Sequence, residues 1–251
     1  MPGEILPGAE PFSASNGAHG VLVLHGFTGS PQSMRPLAEA FADAGFSVEL
    51  PLLPGHGTAV EDLIPMRWSD WMSAAEAAYL DLAARCDRTV VAGLSMGGAL
   101  ACSLAAMHPE IAGAVVVNPL IEPPAESFRK ILTGALGAGV VSAPAIGSDI
   151  AKPGAAELAY DATPIEAVLS LFDACAELVG RLGEIRCPLL IMSSRHDHVV
   201  PPGSGEVLAA GAAGPVERVW LEQSYHVATL DFDQPEIEER AVAFAQKTVA
   251  G

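Results

Sequence analysis

The sequence is poor in positive charge, in cysteine and in aromatic residues. Lys and Arg number 13 against 30 Asp and Glu, which gives a formal net charge of −17, and only 6% of residues are aromatic. A chain this acidic repels nucleic-acid phosphates and anionic headgroups, so we expect no nucleic-acid partner. Half of the 251 residues are hydrophobic, which excludes intrinsic disorder and allows a sizeable core.

Several common binding motifs are also missing. The four cysteines are widely spaced and form no C-x-x-C pair, which indicates reduced, buried thiols rather than a disulfide framework or a zinc site. The sequence has no H-E-x-x-H, G-x-G-x-x-G or G-x-x-x-x-G-K-[ST] motif, so we expect no metal and no cofactor.

No segment has the pattern of a secretory signal or a membrane span. Residues 1–17 contain no Lys or Arg and no long apolar run, so we expect a cytoplasmic protein. The stretch from Ile131 to Ser148 is uncharged over 18 residues but is interrupted by four glycines and a proline. We expect it to form an apolar surface or lid rather than a transmembrane helix.

Short apolar runs rich in β-branched residues alternate with helical patterns along the chain. The runs are Gly20–Leu24, Ser47–Leu52, Thr89–Ala92, Ala114–Val117, Leu189–Met192 and Val216–Leu221. The helical patterns are Gln32–Ala44, Trp68–Cys86, Gly97–Met107, Gly203–Ala210 and Glu236–Val249. This alternation predicts an α/β fold with a mostly parallel sheet and helices on both faces. Functional groups in such folds lie beyond the carboxyl ends of the strands.

The strongest chemical signal is the pentapeptide from Gly93 to Gly97, which lies between a predicted strand and a predicted helix. A G-x-S-x-G sequence in this context indicates a nucleophile elbow, with Ser95 lifted to the start of a helix. Side chains at Gly93 and Gly97 would clash in so tight a turn. Ser95 is therefore the candidate nucleophile.

A serine nucleophile needs a base and a carboxylate that orients the base. Asp197 follows the fifth of the apolar runs and His226 follows the sixth, which is the order Ser, Asp, His expected after a nucleophile elbow. The oxyanion of a tetrahedral intermediate would be held by two backbone N–H groups. We assign these to Met96, directly after the nucleophile, and to Phe27 in the glycine-rich turn after the first run.

The remaining polar and aromatic residues have plainer interpretations. We expect His25 to brace the turn at Phe27 and His56 to fix a loop, and we expect Trp68 and Trp71 to pack in the core. His196 and His198, on either side of Asp197, are expected to be solvated. Acidic residues near the last helix are expected to form a solvated face; they are Asp231, Asp233, Glu236, Glu238 and Glu239.

Together these motifs resemble those of bacterial α/β-hydrolases, and more narrowly the small carboxylesterase and monoacylglycerol lipase family. The similarity runs nearly end to end through HGFTGSPQSMRPLAEAFADAGFSVELPLLPGHG, GLSMGGALA, SRHDHVVPP and SYHVATLDFD, with GSDIAKPGAAELAYDATP resembling the lipases' cap. The resemblance implies a hydrolase core of residues 1–120 and 165–251 with a cap at 121–164. It also implies that Ile146 lines an acyl tunnel and that Glu157 helps to hold a glycerol head.

The expected function is a serine ester hydrolase that cleaves monoacylglycerols through an acyl-enzyme, with a small lipid ester as substrate. A general carboxylesterase remains open, as do a thioesterase or acyltransferase, a C–C bond hydrolase and a perhydrolase on the same triad. A binding module without turnover is a further alternative. The apolar cap leaves contact with a membrane or with a second copy of the chain open.

Overall fold

The centre of the molecule is a seven-stranded sheet in the computed structural model, which describes residues 3–250. In chain order the strands are β1 (Phe12–Ala14), β2 (His19–Leu24), β3 (Ser47–Leu50), β4 (Arg88–Leu94), β5 (Gly113–Val117), β6 (Ser142–Pro144), β7 (Ala162–Pro164), β8 (Leu189–Ser194) and β9 (Val216–Leu221). The main sheet has the order β1-β3-β2-β4-β5-β8-β9, and β6 and β7 form a separate pair.

All neighbouring strands of the main sheet are parallel except β1, which runs antiparallel to β3 at one edge. This confirms the predicted mostly parallel sheet. All six predicted runs are strands, and they correspond to β2, β3, β4, β5, β8 and β9. The short edge strand β1 was not predicted.

Helices cover both faces of the sheet. They are α1 (Arg35–Asp43), α2 (Val60–Leu63), α3 (Trp68–Ala83), α4 (Met96–Met107), α5 (Glu126–Gly137), α6 (Ile165–Val179), α7 (Gly203–Gly211) and α8 (Gln234–Ala250). Short 3₁₀ turns lie at Pro31–Met34, Leu182–Glu184 and Ala228–Leu230. The five predicted helical patterns correspond to α1, α3, α4, α7 and α8.

Successive side chains of each central strand enter two separate cores, because side chains alternate between the faces of a strand. In β5, Ala114 and Val116 pack with α3, α4 and α6, whereas Val115 and Val117 pack with α1 and α8. All four side chains are fully buried. The continuous apolar runs in the sequence therefore reflect burial on both faces of the sheet.

The segment between β5 and α6 leaves the sheet and lies over its carboxyl edge. It contains α5 and the β6–β7 pair, of which the sequence analysis predicted neither. Large apolar side chains of this segment are exposed: Phe128, Ile131, Val140, Val141 and Ile146. Within residues 3–250, no helix is long and apolar enough to span a membrane.

In the turn between β4 and α4 the helix approaches the sheet closely. A Cβ atom on Gly97 would lie 2.1 Å from the carbonyl oxygen of Leu24, and one on Gly93 would lie 2.1 Å from the carbonyl oxygen of Gly97. Such contacts are far inside van der Waals distance. This agrees with the expectation that neither position tolerates a side chain.

We predict that Gly97→Ala lowers the free energy of unfolding by about 1–3 kcal/mol or more, because the added methyl forces α4 away from β2. Gly134→Ala in α5 is the matched control, since nothing lies within 4 Å of the position of its Cβ. That change should raise the free energy of unfolding by about 0.5–1 kcal/mol. Urea unfolding of the two variants checks both signs, and equal stabilities would contradict the prediction.

Candidate active site

Ser95 lies at the turn between β4 and α4 in a strained backbone conformation. Its φ is 54° and its ψ is −115°, a region that non-glycine residues rarely adopt. Its N–H donates to the Val117 carbonyl at 3.1 Å, and its carbonyl accepts from the N–H groups of Ala99 and Leu120, both also at 3.1 Å. The surrounding backbone therefore holds the strained residue in place, at the N-terminus of α4.

The turn after β2 lies against Ser95. A Cβ atom on Gly26 would be 3.6 Å from the Ser95 Cβ atom, and Thr28 has a positive φ of 63°. Within the described residues, neither the N–H of Phe27 nor that of Met96 has a protein acceptor. Two free N–H groups close to a serine are what an oxyanion hole requires.

Asp197 and His226 are in direct contact. The His226 Nδ1 atom lies 2.8 Å from Asp197 Oδ2, and both side chains are at least nine-tenths buried. The other carboxylate oxygen of Asp197 accepts from the N–H groups of Val199 and Val200, each at 2.8 Å. These bonds fix the carboxylate, so that it orients the imidazole with Nε2 free for proton transfer.

Two further residues that the sequence analysis missed hold the backbone of His226. Asn118, at the end of β5, donates to the His226 carbonyl at 2.7 Å and also contacts Ser194. Asp149, in the segment over the sheet, accepts from the His226 N–H at 3.0 Å. Asn118 directly follows an apolar run, so its position after a strand was the available signal. Nothing in the sequence marked Asp149.

The expectation of a solvated acidic face is wrong for Asp231 and Asp233, which are 0% and 5% exposed. Asp231 accepts from the N–H groups of Ala151, Lys152 and Tyr225 at 2.7–2.9 Å. Asp233 accepts from those of Gln223 and Ser224. Their burial has a physical reason, because the irregular chain around His226 leaves N–H groups that need acceptors. Glu236, Glu238 and Glu239 are half-buried or exposed.

His25 and His56 lie behind the turn at Phe27, as expected. His25 Nε2 accepts from the Leu53 N–H at 3.1 Å, so its Nδ1–H donates to the Gly26 carbonyl at 2.9 Å. Burial lowers the pKa of His25 to about 4, although the bond to Gly26 opposes this shift. Burial and the neighbouring His25 also hold the pKa of His56 well below its ordinary value. Both rings are therefore neutral, and they support the turn at Phe27 through bonds to neighbouring backbone groups.

The other sequence interpretations have mixed outcomes. Trp71 is fully buried and its ring packs on Phe27, and Trp68 packs against the same core. His196 is exposed. His198 is largely exposed too, but its Nδ1 atom bonds to Asp149 at 2.8 Å.

A cavity of about 550 Å³ opens beside Ser95 and His226. Its walls are mostly apolar and include Phe27, Leu120, Phe128, Leu132, Val168, Leu171, Phe172, Val200 and Val227. Helices α5 and α6 supply part of this lining. The volume and the apolar walls suit a small organic ligand with a hydrocarbon part.

Ile146 and Glu157 both line this cavity. Ile146 is 69% exposed, so it lies at the mouth rather than deep inside. Burial raises the pKa of Glu157, while the neighbouring His226 and the Ser33 side chain oppose this shift. The cavity therefore has mostly apolar walls, with the carboxyl group of Glu157 near His226.

We predict that acidification destabilises the fold through His25. The unfolded chain takes up this proton near pH 6.5 and the folded chain only near pH 4. The contribution is therefore complete above pH 6.5 and lost as the pH falls towards 4, by about 1.4 kcal/mol per pH unit. Urea unfolding between pH 7.5 and 4.5 should give a shallower slope for His25→Gln than for the exposed control His196→Gln. Identical slopes would refute the prediction.

Several known proteins are similar to this chain over most of its length. The family described as Hydrolase_4, serine aminopeptidase S33, matches residues 17–233. A thermostable monoacylglycerol lipase of Bacillus sp. (strain H-257) is 47% identical over 246 residues, which cover 97% of this chain and 96% of the relative. A carboxylesterase of Bacillus subtilis (strain 168) is 26% identical over 95% of this chain and 96% of its own length.

Solved structures agree with these sequence matches. A chain described under LipS and LipT, two metagenome-derived lipolytic enzymes, superposes with a TM-score of 0.92 at 45% identity, over 97% of this chain and all of the other. The monoacylglycerol lipase of Paleococcus ferrophilus has a TM-score of 0.79 at 18% identity, over 95% and 99% of the two chains, and supports the fold alone. With an α/β-hydrolase fold and a family match over most of its length, the chain belongs to the Hydrolase_4 (S33) family.

Proposed function

We propose that the protein is a serine ester hydrolase in which Ser95 is the nucleophile, His226 the general base and Asp197 the residue that orients the base. The observation that supports this most strongly is a single cavity lined by both Ser95 and His226, with His226 bonded to the buried Asp197. The free N–H groups of Phe27 and Met96 complete the set as the oxyanion hole.

The reaction then has two halves. His226 Nε2 takes the proton of the Ser95 hydroxyl as Oγ attacks the ester carbonyl, and the carbonyl oxygen becomes an oxyanion that accepts from Phe27 and Met96. The intermediate collapses, the alcohol leaves with the proton from His226, and an acyl-serine remains. Water then gives a proton to His226 and attacks the acyl-serine. The second tetrahedral intermediate collapses, the acid is released, and His226 returns the proton to Ser95 Oγ.

We propose monoacylglycerols as the substrates. The relative with 47% identity is a monoacylglycerol lipase, and the cavity has apolar walls for one acyl chain and a carboxyl, Glu157, near the reacting atoms. In this assignment Glu157 accepts a hydrogen bond from a glycerol hydroxyl. Ile146 contacts the acyl chain at the cavity mouth.

The proposed organisation is a hydrolase core of residues 1–120 and 165–251 with a cap at 121–164. The exposed apolar side chains of the cap offer a weak contact surface for lipid aggregates or for a second copy. We propose a cytoplasmic location, because all four cysteines are unpaired and a reducing compartment keeps them so.

We predict that Ser95→Ala lowers kcat/KM by several orders of magnitude on both 1-monoacylglycerols and p-nitrophenyl esters of matched chain length, because the nucleophile acts with the base as a unit. Ser103→Ala, in the same helix but away from the cavity, should keep wild-type rates. Initial rates on the two substrate classes give the measurement. Activity that survived in Ser95→Ala would overturn the mechanism.

The same assay separates the substrate alternatives. Wild-type enzyme should cleave monoacylglycerols at least as efficiently as the activated esters. Turnover of p-nitrophenyl esters alone would point instead to a general carboxylesterase, the activity named for the Bacillus subtilis relative.

A second prediction concerns the glycerol end. Glu157→Gln should lower kcat/KM for a monoacylglycerol about tenfold relative to the ethyl ester of the same acid, because a charge-assisted hydrogen bond contributes roughly 1.5–3 kcal/mol. The control is Glu122→Gln, an exposed carboxylate that also lines the cavity. If the two variants gave the same substrate ratio as the wild type, Glu157 would not hold glycerol.

A further inference from the structure

The three residues centred on His226 have their backbone N–H groups satisfied by carboxylates or by the cap. The Tyr225 N–H donates to Asp231 Oδ2 at 2.9 Å, the His226 N–H to Asp149 Oδ2 at 3.0 Å, and the Val227 N–H to the Asp149 carbonyl at 3.1 Å. Asp149 thus supplies two consecutive acceptors, one from its side chain and one from its backbone. The loop that carries His226 is therefore hydrogen-bonded along its backbone to the cap.

The cap side of this junction is itself well anchored. The Asp149 side chain is 11% exposed, and it also accepts from the His198 N–H at 3.2 Å and contacts the His198 ring. Directly after it, the N–H groups of Ala151 and Lys152 donate to the fully buried Asp231. Asp231 therefore connects the cap to the His226 loop at Tyr225, and Asp149 connects the two at His226 itself.

Three contacts position His226, and each comes from a different part of the fold. Asp197, after β8, contacts the ring, and Asn118, after β5, contacts the carbonyl. Asp149 contacts the N–H from the cap. The contacts from Asp197 and Asn118 come from the carboxyl edge of the sheet. The contact from Asp149 exists only while residues 149–152 of the cap are packed against the His226 loop.

We propose that Asp149 is a positioning residue for His226, through which the docked cap sets the placement of the base. The proposal rests on the proposed role of His226 as general base. Asp149 does not line the cavity in the described part of the chain, so it acts through His226 rather than on the substrate. Without the Asp149 carboxylate the buried His226 N–H lacks an acceptor, so the loop that carries His226 rearranges. This displaces the imidazole, whose alignment with Ser95 controls the rate.

Asp149→Ala tests this proposal, with Asp149→Asn as the conservative variant and Asp161→Ala as the matched control. Asp161 is an exposed aspartate of the same cap, and its backbone rather than its side chain bonds to Ala145. Rates on a p-nitrophenyl ester are divided by the fraction of Ser95 that a fluorophosphonate labels at completion. Thermal unfolding reports the stability of each variant.

We expect Asp149→Ala to lower kcat about 10- to 100-fold with KM within about twofold of wild type, because misplacement of a reacting group by about 1 Å has an effect of this size. Asp149→Asn keeps an oxygen that can accept from the His226 N–H, so it should recover most of the lost kcat. Asp161→Ala should match the wild type.

Three outcomes would overturn the proposal. They are an unchanged kcat in Asp149→Ala, a loss of thermal stability without a fall in kcat per labelled site, and no recovery in Asp149→Asn when that variant is folded. Each of these leaves the hydrolase assignment standing as long as Ser95→Ala is inactive. Residual activity in Ser95→Ala would instead reject the assignment itself.

Discussion

The close approach of α4 to the sheet is the constraint on which the site depends. Gly97 lies so near the Leu24 carbonyl that even a methyl group would overlap it, at the point where β2 and β4 end side by side. Ser95 has a positive φ in this turn, and its neighbours hold it there through three backbone hydrogen bonds. The turn after β2 lies against this serine, and within the described residues the N–H groups of Phe27 and Met96 have no protein acceptor. Strain in one residue is therefore part of the geometry that supports the proposed nucleophile and oxyanion hole.

A second requirement is that the chain beyond the carboxyl ends of the strands has few regular backbone partners. Buried N–H groups there need acceptors, and carboxylates that accept several of them supply these at Asp197, Asp231 and Asp233. His25 and His56 support the turn at Phe27 as neutral rings, so they bring no charge into that region. The acidic residues at this edge are thus structural acceptors, which is why a chain with a net charge of −17 can bury several of them.

Much of the fold could be predicted from the sequence, because buried parallel strands produce continuous apolar runs and the elbow demands glycines at fixed spacing. The helix α6 was missed although Ile165, Leu171 and Leu178 recur on its buried face, so that signal was present. By contrast, Asp231 looked like a solvated charge near a helix start. Its true partners, Ala151 and Lys152, lie about 80 positions earlier. Neither periodicity nor a motif reports such a long-range carboxylate–backbone bond, and the same applies to Asp149. The triad and oxyanion residues stay predictions that the geometry supports.

The cap consists of two parts under different constraints. Residues 148–160 are tied to the core by Asp231, by the side chain of Gln32, which bonds to Ala156 and Leu158, and by the hydroxyl of Tyr160. Residues 122–147 instead expose large apolar side chains, and they contact the following chain through α6 and β7. A substitution in the second part can reshape the acyl side of the cavity without disturbing a hydrogen bond to the His226 loop. Substitution of Asp149, in the first part, removes an acceptor of the His226 N–H, which supports the proposed base. Changes in acyl-chain range should therefore arise in residues 122–147, whereas substitution of Asp149 should change turnover and leave the acyl-chain range unaltered.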